Sequence, residues 1–438
     1  MTRGLALRVR RFRPPRATGA MVAQVSQALG SFVLQVLAAR ELGSSGLGLF
    51  ALLFGSMVML TAVSTGLIGD SLTVLDRHDP AIRAALWRLT CVTVAAAAIV
   101  TLLATLATGM LEPTTAVAFA TATVAFMSAD LLRRTQMASL HFWRLVGVDS
   151  VALVAALTTL AITSTTGPLG LVDFLVALAA GQVTACVVAF CFLPPADRAR
   201  PPRRWGAVRT VMGFGLWRAA QQFVRPTMLN LARWVVLLAA GQAALGELEA
   251  ARVFVAPAML LVQGTGSYLF SSYAGDRAGG TAPLLRRADR AATIMLVGAV
   301  LVGVLASATS PLLGRYLTGG AFALSVPGVL GWAVYAASCA AVLPYGSLAA
   351  VQGKQIRVLG IRLFDSAFSL ALAATALLAL GLATPWMPWF LSIGSFLGGL
   401  LCRQLLLRPL VRSEHVPVPL GADASDGRRA TSAPGRPR

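Results

Sequence analysis

The stretch Val211–Ala240, VMGFGLWRAAQQFVRPTMLNLARWVVLLAA, decides how the chain is read. It is mostly apolar and long enough to cross a bilayer, which takes about 20 residues. Yet it carries Arg218, Arg225 and Arg233. A guanidinium near the bilayer centre costs about 2.5–3.5 kcal/mol on insertion scales. Three in one span point to a polar space inside the protein. At about 100° per residue, Arg218 and Arg225 fall roughly 20° apart, and Gln221, Gln222 and Arg233 lie within about 60° of Arg218. One helical face about 120° wide then holds three guanidiniums and two amides. Such a face is a candidate lining for a water-filled cavity that receives an anion. Pro226 leaves two readings open. It either kinks one long helix or begins a span that follows an interfacial helix over 206–225.

The rest of the chain has the same character. Its 438 residues are 57% hydrophobic and only 12% charged, with a mean hydropathy of +0.74. Soluble domains carry about 25% charged residues. Twelve apolar runs are long enough to span: 19–39, 47–68, 86–108, 114–132, 146–163, 169–192, 211–240, 250–271, 291–312, 326–348, 359–381 and 388–408. In lipid every backbone polar group needs an internal partner, so these runs are helices. The expected fold is an all-α integral membrane protein of twelve transmembrane helices.

Charge placement supports twelve. Basic residues total 36 Arg and one Lys, and 31 of these 37 fall on one side if the spans alternate from a cytoplasmic N-terminus. The opposite side holds Arg40, Arg252 and Arg315, and span 7 holds the other three. This is the positive-inside pattern, with both termini cytoplasmic. The net charge of +20 therefore reads as contact with anionic membrane lipids, not with nucleic acid. Cys91, Cys186, Cys191, Cys339 and Cys402 all lie inside spans, without metal-ligand spacing. No metal or cofactor is expected.

The chain divides into two halves. Residues 1–18 form a basic cytoplasmic segment, 19–192 a first six-helix bundle, 193–210 a basic cytoplasmic linker, 211–412 a second six-helix bundle and 413–438 a disordered cytoplasmic tail. Leu47-Gly48 and Leu245-Gly246 open spans 2 and 8 in similar settings, and Trp143–Val148 resembles Ile356–Ile361 before spans 5 and 11. Six spans is an even number, so the halves are parallel repeats about an axis along the membrane normal. Span 1 carries Gln24, Gln27, Ser31 and Gln35 on one face, and span 8 carries Gln263, Ser267 and Ser271. Pseudo-symmetry would turn the polar faces of spans 1, 7 and 8 toward one central cleft.

Ala39-Arg40-Glu41-Leu42-Gly43-Ser44-Ser45-Gly46-Leu47-Gly48-Leu49-Phe50-Ala51 resembles the end of span 1 in polysaccharide flippases of the multidrug/oligosaccharidyl-lipid/polysaccharide exporter superfamily. Ala244–Arg252 is similar to their loop into span 8. The resemblance implies a 6+6 helical fold around a central cleft, moving lipid-linked saccharides outward. Lipid II flippases of the superfamily place basic residues within their first spans. Here spans 1 and 2 hold none in their interiors. The drug-antiporter branch uses carboxylates in its cavity. Here Asp70, Asp130, Asp149, Asp173 and Asp365 are expected near span ends.

The reading is a non-enzymatic flippase of lipid-linked (diphosphate) oligosaccharide or polysaccharide precursors, multi-pass in a bacterial cytoplasmic membrane. It would work beside glycosyltransferases and a polymerase of an envelope pathway. Arg218, Arg225, Arg233, Gln221, Gln222, Gln24, Gln27, Gln35 and Gln263 are the candidate substrate-binding residues. No paired catalytic carboxylates and no Gly-rich phosphate loop appear in the chain. The alternatives are a drug or cation antiporter, a lipid II flippase and a non-transporting membrane assembly protein.

Overall fold

Helix α1 covers Arg16–Glu41, and Gly43 turns the chain at once into α2, Gly43–Ser64. A left-handed φ of +66° at Gly43 makes this reversal with a single residue between the helices. The helix of α2 continues through a π-helical turn, Thr65–Gly69, and a last turn, Asp70–Val74. There follow α3 (Pro80–Thr108), α4 (Pro113–Ala138), α5 (Phe142–Thr163), α6 (Leu171–Phe192), α7 (Val208–Phe254), α8 (Thr281–Leu317), α9 (Val326–Val351), α10 (Gln355–Ala374) and α11 (Met387–Leu401). The computed structural model describes residues 16–76, 79–139, 141–194, 207–259, 280–320, 322 and 324–414, with 262, 265, 269, 272, 273 and 276. The segment before Arg16, most of the linker, the tail beyond 414 and Gln263 lie outside the described residues.

Local chemistry sets the boundaries. Asp79 accepts a hydrogen bond from the amide of Ala81 at 2.8 Å, with Pro80 in the first turn, and so starts α3. Gly109 closes that helix with a φ of +61°. Asp173 accepts from the Gly170 amide at 2.8 Å to cap α6.

Among the described residues, eleven helices are long and apolar enough to cross a membrane. The eighth expected span has no separate helix among the described residues, and its first residues belong to α7, whose one non-helical residue is Gly241, at φ +83° and ψ −177°. The expected span 250–271 begins in the last turns of α7. Pro226 starts no new helix, because α7 runs through it from Val208 to Gly241.

Two apolar cores result. One gathers Leu34, Phe50, Met57, Phe119, Phe174 and Leu178 from the first six helices. The other gathers Met228, Val236, Tyr335, Leu348, Leu391 and Leu407 from the second half. The halves are pseudo-symmetric, and one contact shows the axis. A Cβ on Gly48 would overlap the carbonyl oxygen of Gln242, and a Cβ on Gly246 would overlap that of Ser44. Gly48 and Gly246 are 198 positions apart, as are Ser44 and Gln242. The contact is therefore reciprocal, as at a two-fold axis. Glycine lets the two backbones meet there, a device of packed membrane helices.

Candidate functional site

The offset of 198 also joins Gly43 to Gly241, the two turn glycines. Both helices run back from these turns without interruption. Gln24, Gln27 and Gln35 of α1 thus correspond to Gln222, Arg225 and Arg233 of α7.

The structure does not gather the three arginines of α7 in one cavity. Arg218 faces the first half. It forms an ion pair with Asp70 of α2 at 2.9 Å and donates to the Gln221 side chain at 2.7 Å. The amide of Gln222 reaches the same Asp70 oxygen at 3.4 Å. Arg233 is buried, 8% exposed, and its Nε donates to Glu249 at 2.8 Å. Arg252 holds the other oxygen of Glu249 at 2.5 Å and donates to Gln35 of α1 at 3.0 Å. Gln35 and its pseudo-symmetric mate Arg233 therefore meet in one network near the axis.

Arg225 differs from both. Its Nη2 lies 3.0 Å from the thiol of Cys339 on α9, and its guanidinium stands over the Tyr335 ring at 5.8 Å. Among the described residues it has no carboxylate within ion-pair distance. Cys339 and Tyr335 are both buried. Nearby, Asp365 of α10 is 4% exposed. One of its oxygens accepts from Ser366 at 3.0 Å, and the other has no partner among the described residues. A Cβ on Gly398 would overlap that oxygen, so α11 lies directly on the carboxylate.

Two expectations about acids change here. Glu249, expected in a connecting loop, is helical and 1% exposed between two arginines. Asp365, expected near a span end, lies well inside the span Gln355–Ala379, because that helix starts earlier than its hydropathy suggests.

The first half contains a cavity of about 80 Å³ enclosed by α1, α2, α4, α5 and α6. Gln27, Ser31 and Gln35 line it from α1, Asp130 and Arg133 from α4, Asp149 from α5 and Gln182 from α6. Arg133 forms an ion pair with Asp149 at 2.6 Å and donates to the carbonyl of Ala23 at 2.9 Å. Asp130 accepts from Arg134 at 2.7 Å and from Thr65 at 3.3 Å. Phe50, Phe54 and Phe126 form its apolar wall. The charges are compensated in pairs, and the other polar lining groups named here are the amides of Gln27, Gln35 and Gln182 and the hydroxyl of Ser31. A volume of this order holds several waters or one small polar group.

Of the expected site residues, Gln27 and Gln35 line this cavity, while Gln24 sits half-buried on α1 outside its lining. Sequence reasoning missed Arg133, Asp130, Asp149 and Gln182. Gln182, a lone amide within an apolar run, was the available signal. Arg133 was expected in a connection but is 6% exposed inside α4.

No family model matches the chain, and no curated protein matches it in sequence. Solved structures do. An inward-facing multidrug resistance MATE family transporter of the MOP superfamily aligns over 92% of this chain and 96% of its own, at a TM-score of 0.68 and 12% identity. Its fold is MATE-like. An outward-facing structure of a multidrug resistance MATE transporter of the same superfamily gives 0.63 at 13% identity, covering 92% of this chain and 97% of that one. A MOP superfamily transporter from Pyrococcus furiosus, for which reverse polarity of the binding pocket suggests a different function, gives 0.63 at 14%, covering 91% and 94%. At these identities the likeness is one of fold.

Proposed function

We propose that the protein is an alternating-access transporter that moves a lipid-linked, diphosphate-bearing saccharide from the inner to the outer face of a bacterial cytoplasmic membrane. The observation that carries this reading is Arg225. It is a guanidinium in the middle of α7 with a thiol and an aromatic ring for company, whereas Arg218 and Arg233 each hold a carboxylate. A cation with no carboxylate within ion-pair distance favours an anion, and a guanidinium can grip a phosphate through two hydrogen bonds. The amides and hydroxyls of the first-half cavity suit the uncharged hydroxyls of a sugar. The cargo would arrive from membrane glycosyltransferases, and a polymerase would use it outside. The greater likeness to the inward-facing neighbour supports a resting state open to the cytoplasm. The Pyrococcus furiosus transporter gives a precedent for altered pocket polarity on this fold.

A second reading, efflux of a lipophilic cation, has its own observations. The first-half cavity contains Asp130 and Asp149, and several neighbours in fold are multidrug transporters.

The test is flipping of a diphosphate-linked oligosaccharide in reconstituted vesicles. Arg225→Lys should retain part of the rate, Arg225→Ala little and Arg225→Glu none, at equal protein abundance. Undiminished flipping by Arg225→Ala would sink the anionic reading. Cation efflux that stops with Asp149→Asn, with no saccharide movement, would establish the other.

A further inference from the structure

One wall of the first-half cavity is repeated in the second half with its charge reversed. A Cβ on Gly181 of α6 would overlap the carbonyl oxygen of Ala152 and crowd Ala156, both of α5. A Cβ on Gly394 of α11 would overlap the carbonyl oxygen of Asp365 and the hydroxyl of Ser369, both of α10. Each residue of the second set stands 213 positions after its counterpart, the spacing that also relates Trp143–Val148 to Ile356–Ile361. The α5–α6 contact is therefore repeated residue for residue by α10 and α11. Across that repeat the cavity-lining Asp149 becomes Arg362, and the small apolar pair Ala152 and Ala156 becomes Asp365 and Ser369. From α1 to α7, Gln27 becomes Arg225. An amide and an acid in the first half are thus two guanidiniums in the second.

In the first half Arg133 answers Asp149. Arg362 has no such answer: among the described residues it forms no ion pair. Its Nη2 lies 3.3 Å from where a Cβ on Gly346 of α9 would stand. The same helix meets Arg225 through Tyr335 and Cys339. Cys339 and Gly346 are seven residues apart, which places them about 20° round α9 and about 10 Å along it. Both arginines keep partial exposure, whereas Asp365, within electrostatic reach of both, is 4% exposed and leaves one oxygen without a partner among the described residues.

We infer that Arg225 and Arg362 are the two arms of one diphosphate site on a single face of α9, each guanidinium taking one phosphate. The inference rests on the diphosphate cargo proposed above and adds the residue that reads the second phosphate. One carboxylate near two guanidiniums leaves the site positive whether or not Asp365 is ionised, so an anion completes it. The separation along α9 is too long for one phosphate to touch both arms, while two linked phosphates with a hydrogen bond at each end can bridge it. The site therefore distinguishes a diphosphate from a monophosphate, which Arg225 alone does not.

The test measures equilibrium binding of radiolabelled farnesyl diphosphate and farnesyl monophosphate to the full chain in nanodiscs of neutral phosphatidylcholine. The unaltered protein should prefer the diphosphate. Arg225→Ala and Arg362→Ala should each weaken diphosphate binding by about tenfold or more, the loss of a hydrogen bond between charged groups. Arg362→Ala should leave monophosphate binding little changed, so the preference collapses. Arg362→Lys keeps the charge without the two-pronged grip. It should lose part of the preference, and it serves if the alanine variant does not fold. Arg357→Ala, an exposed arginine on the same helix, controls for surface charge and should alter neither ligand. A loss with Arg225→Ala and none with either Arg362 variant would overturn the two-armed site while leaving the reading of Arg225 intact. So would equal losses for both ligands, an Arg357→Ala loss as large as that of Arg362→Ala, or displacement of the diphosphate by phosphatidylglycerol added to the disc. Diphosphate binding indifferent to both arginines would overturn the inference and the anionic reading together.

Discussion

Counted back from the paired turns at Gly43 and Gly241, the amides Gln24, Gln27 and Gln35 of α1 hold the places that Gln222, Arg225 and Arg233 hold in α7. The backbones of the two regions are equivalent and their chemistry is not. In α1 the polar stripe faces a cavity whose charges cancel locally, as in the Arg133–Asp149 pair. In α7 the same stripe carries full charges, each with a different answer: a partly exposed carboxylate for Arg218, a buried one for Arg233, and for Arg225 a thiol and an aromatic ring, with no ion pair among the described residues. Symmetry places these side chains, and the neighbours decide what each can do.

That contrast can be broken at several points. Glu249 holds two arginines while 1% exposed. Glu249→Ala leaves both without a carboxylate and should cost about 3–5 kcal/mol of stability, the range for breaking a buried pair by removing one partner. Gln35→Ala, at the α1 equivalent of Arg233, removes one acceptor of Arg252 and should cost less, about 1.5–3 kcal/mol, as for a hydrogen bond to a charged group. Thermal unfolding in detergent compares the two, and equal losses would remove the contrast. Copying α1 into α7 at the next position, Arg225→Gln, should slow transport by roughly ten- to a hundredfold, since hydrogen bonds to charged groups contribute about 1.5–3 kcal/mol. Adding Gln27→Arg should not restore the rate, because Gln27 faces a cavity that already contains Arg133. Vesicle assays of the single and double variants decide this, and rescue would show the two places to be interchangeable. Gly48→Ala and Gly246→Ala each place a methyl group on a facing carbonyl. Overpacking of this kind costs about 1–3 kcal/mol, and the reciprocal contact predicts similar losses for both, read as shifts in unfolding midpoint. The smallest effect belongs to Arg218→Ala. Its pair with Asp70 is partly solvated, with side chains 33% and 20% exposed, so the loss should stay within about 0.2–1 kcal/mol.

Much of this was legible in the sequence. Apolar run lengths pointed to an all-α membrane protein, and eleven helices of the described residues are long enough to span where twelve were expected. The paired Leu-Gly motifs carried the repeat, and the structure turned that weak similarity into a physical contact between Gly48 and Gly246. Periodicity also put Arg218, Arg225 and Arg233 near one face of a helix. What it could not supply was their partners. Asp70 and Glu249 lie far from Arg218 and Arg233 along the chain or across a turn, and hydropathy alone assigned Asp70 to a span end and Glu249 to a connecting loop. The cavity of the first half was invisible for the same reason. It exists only where four helices bring Gln27, Asp130, Asp149 and Gln182 together, and each of those residues alone reads as an incidental polar group on an apolar helix.

Where Gly48 and Gly246 touch, each helix meets a copy of itself, as two identical subunits do across a two-fold axis. A six-helix chain with this surface could pair with itself. Joining two copies in one polypeptide frees one to diverge while the other keeps the fit. In a homodimer an arginine at the position of Arg225 would enter twice, once in each half. In a fused chain it enters once, with the uncharged Gln27 at the equivalent place.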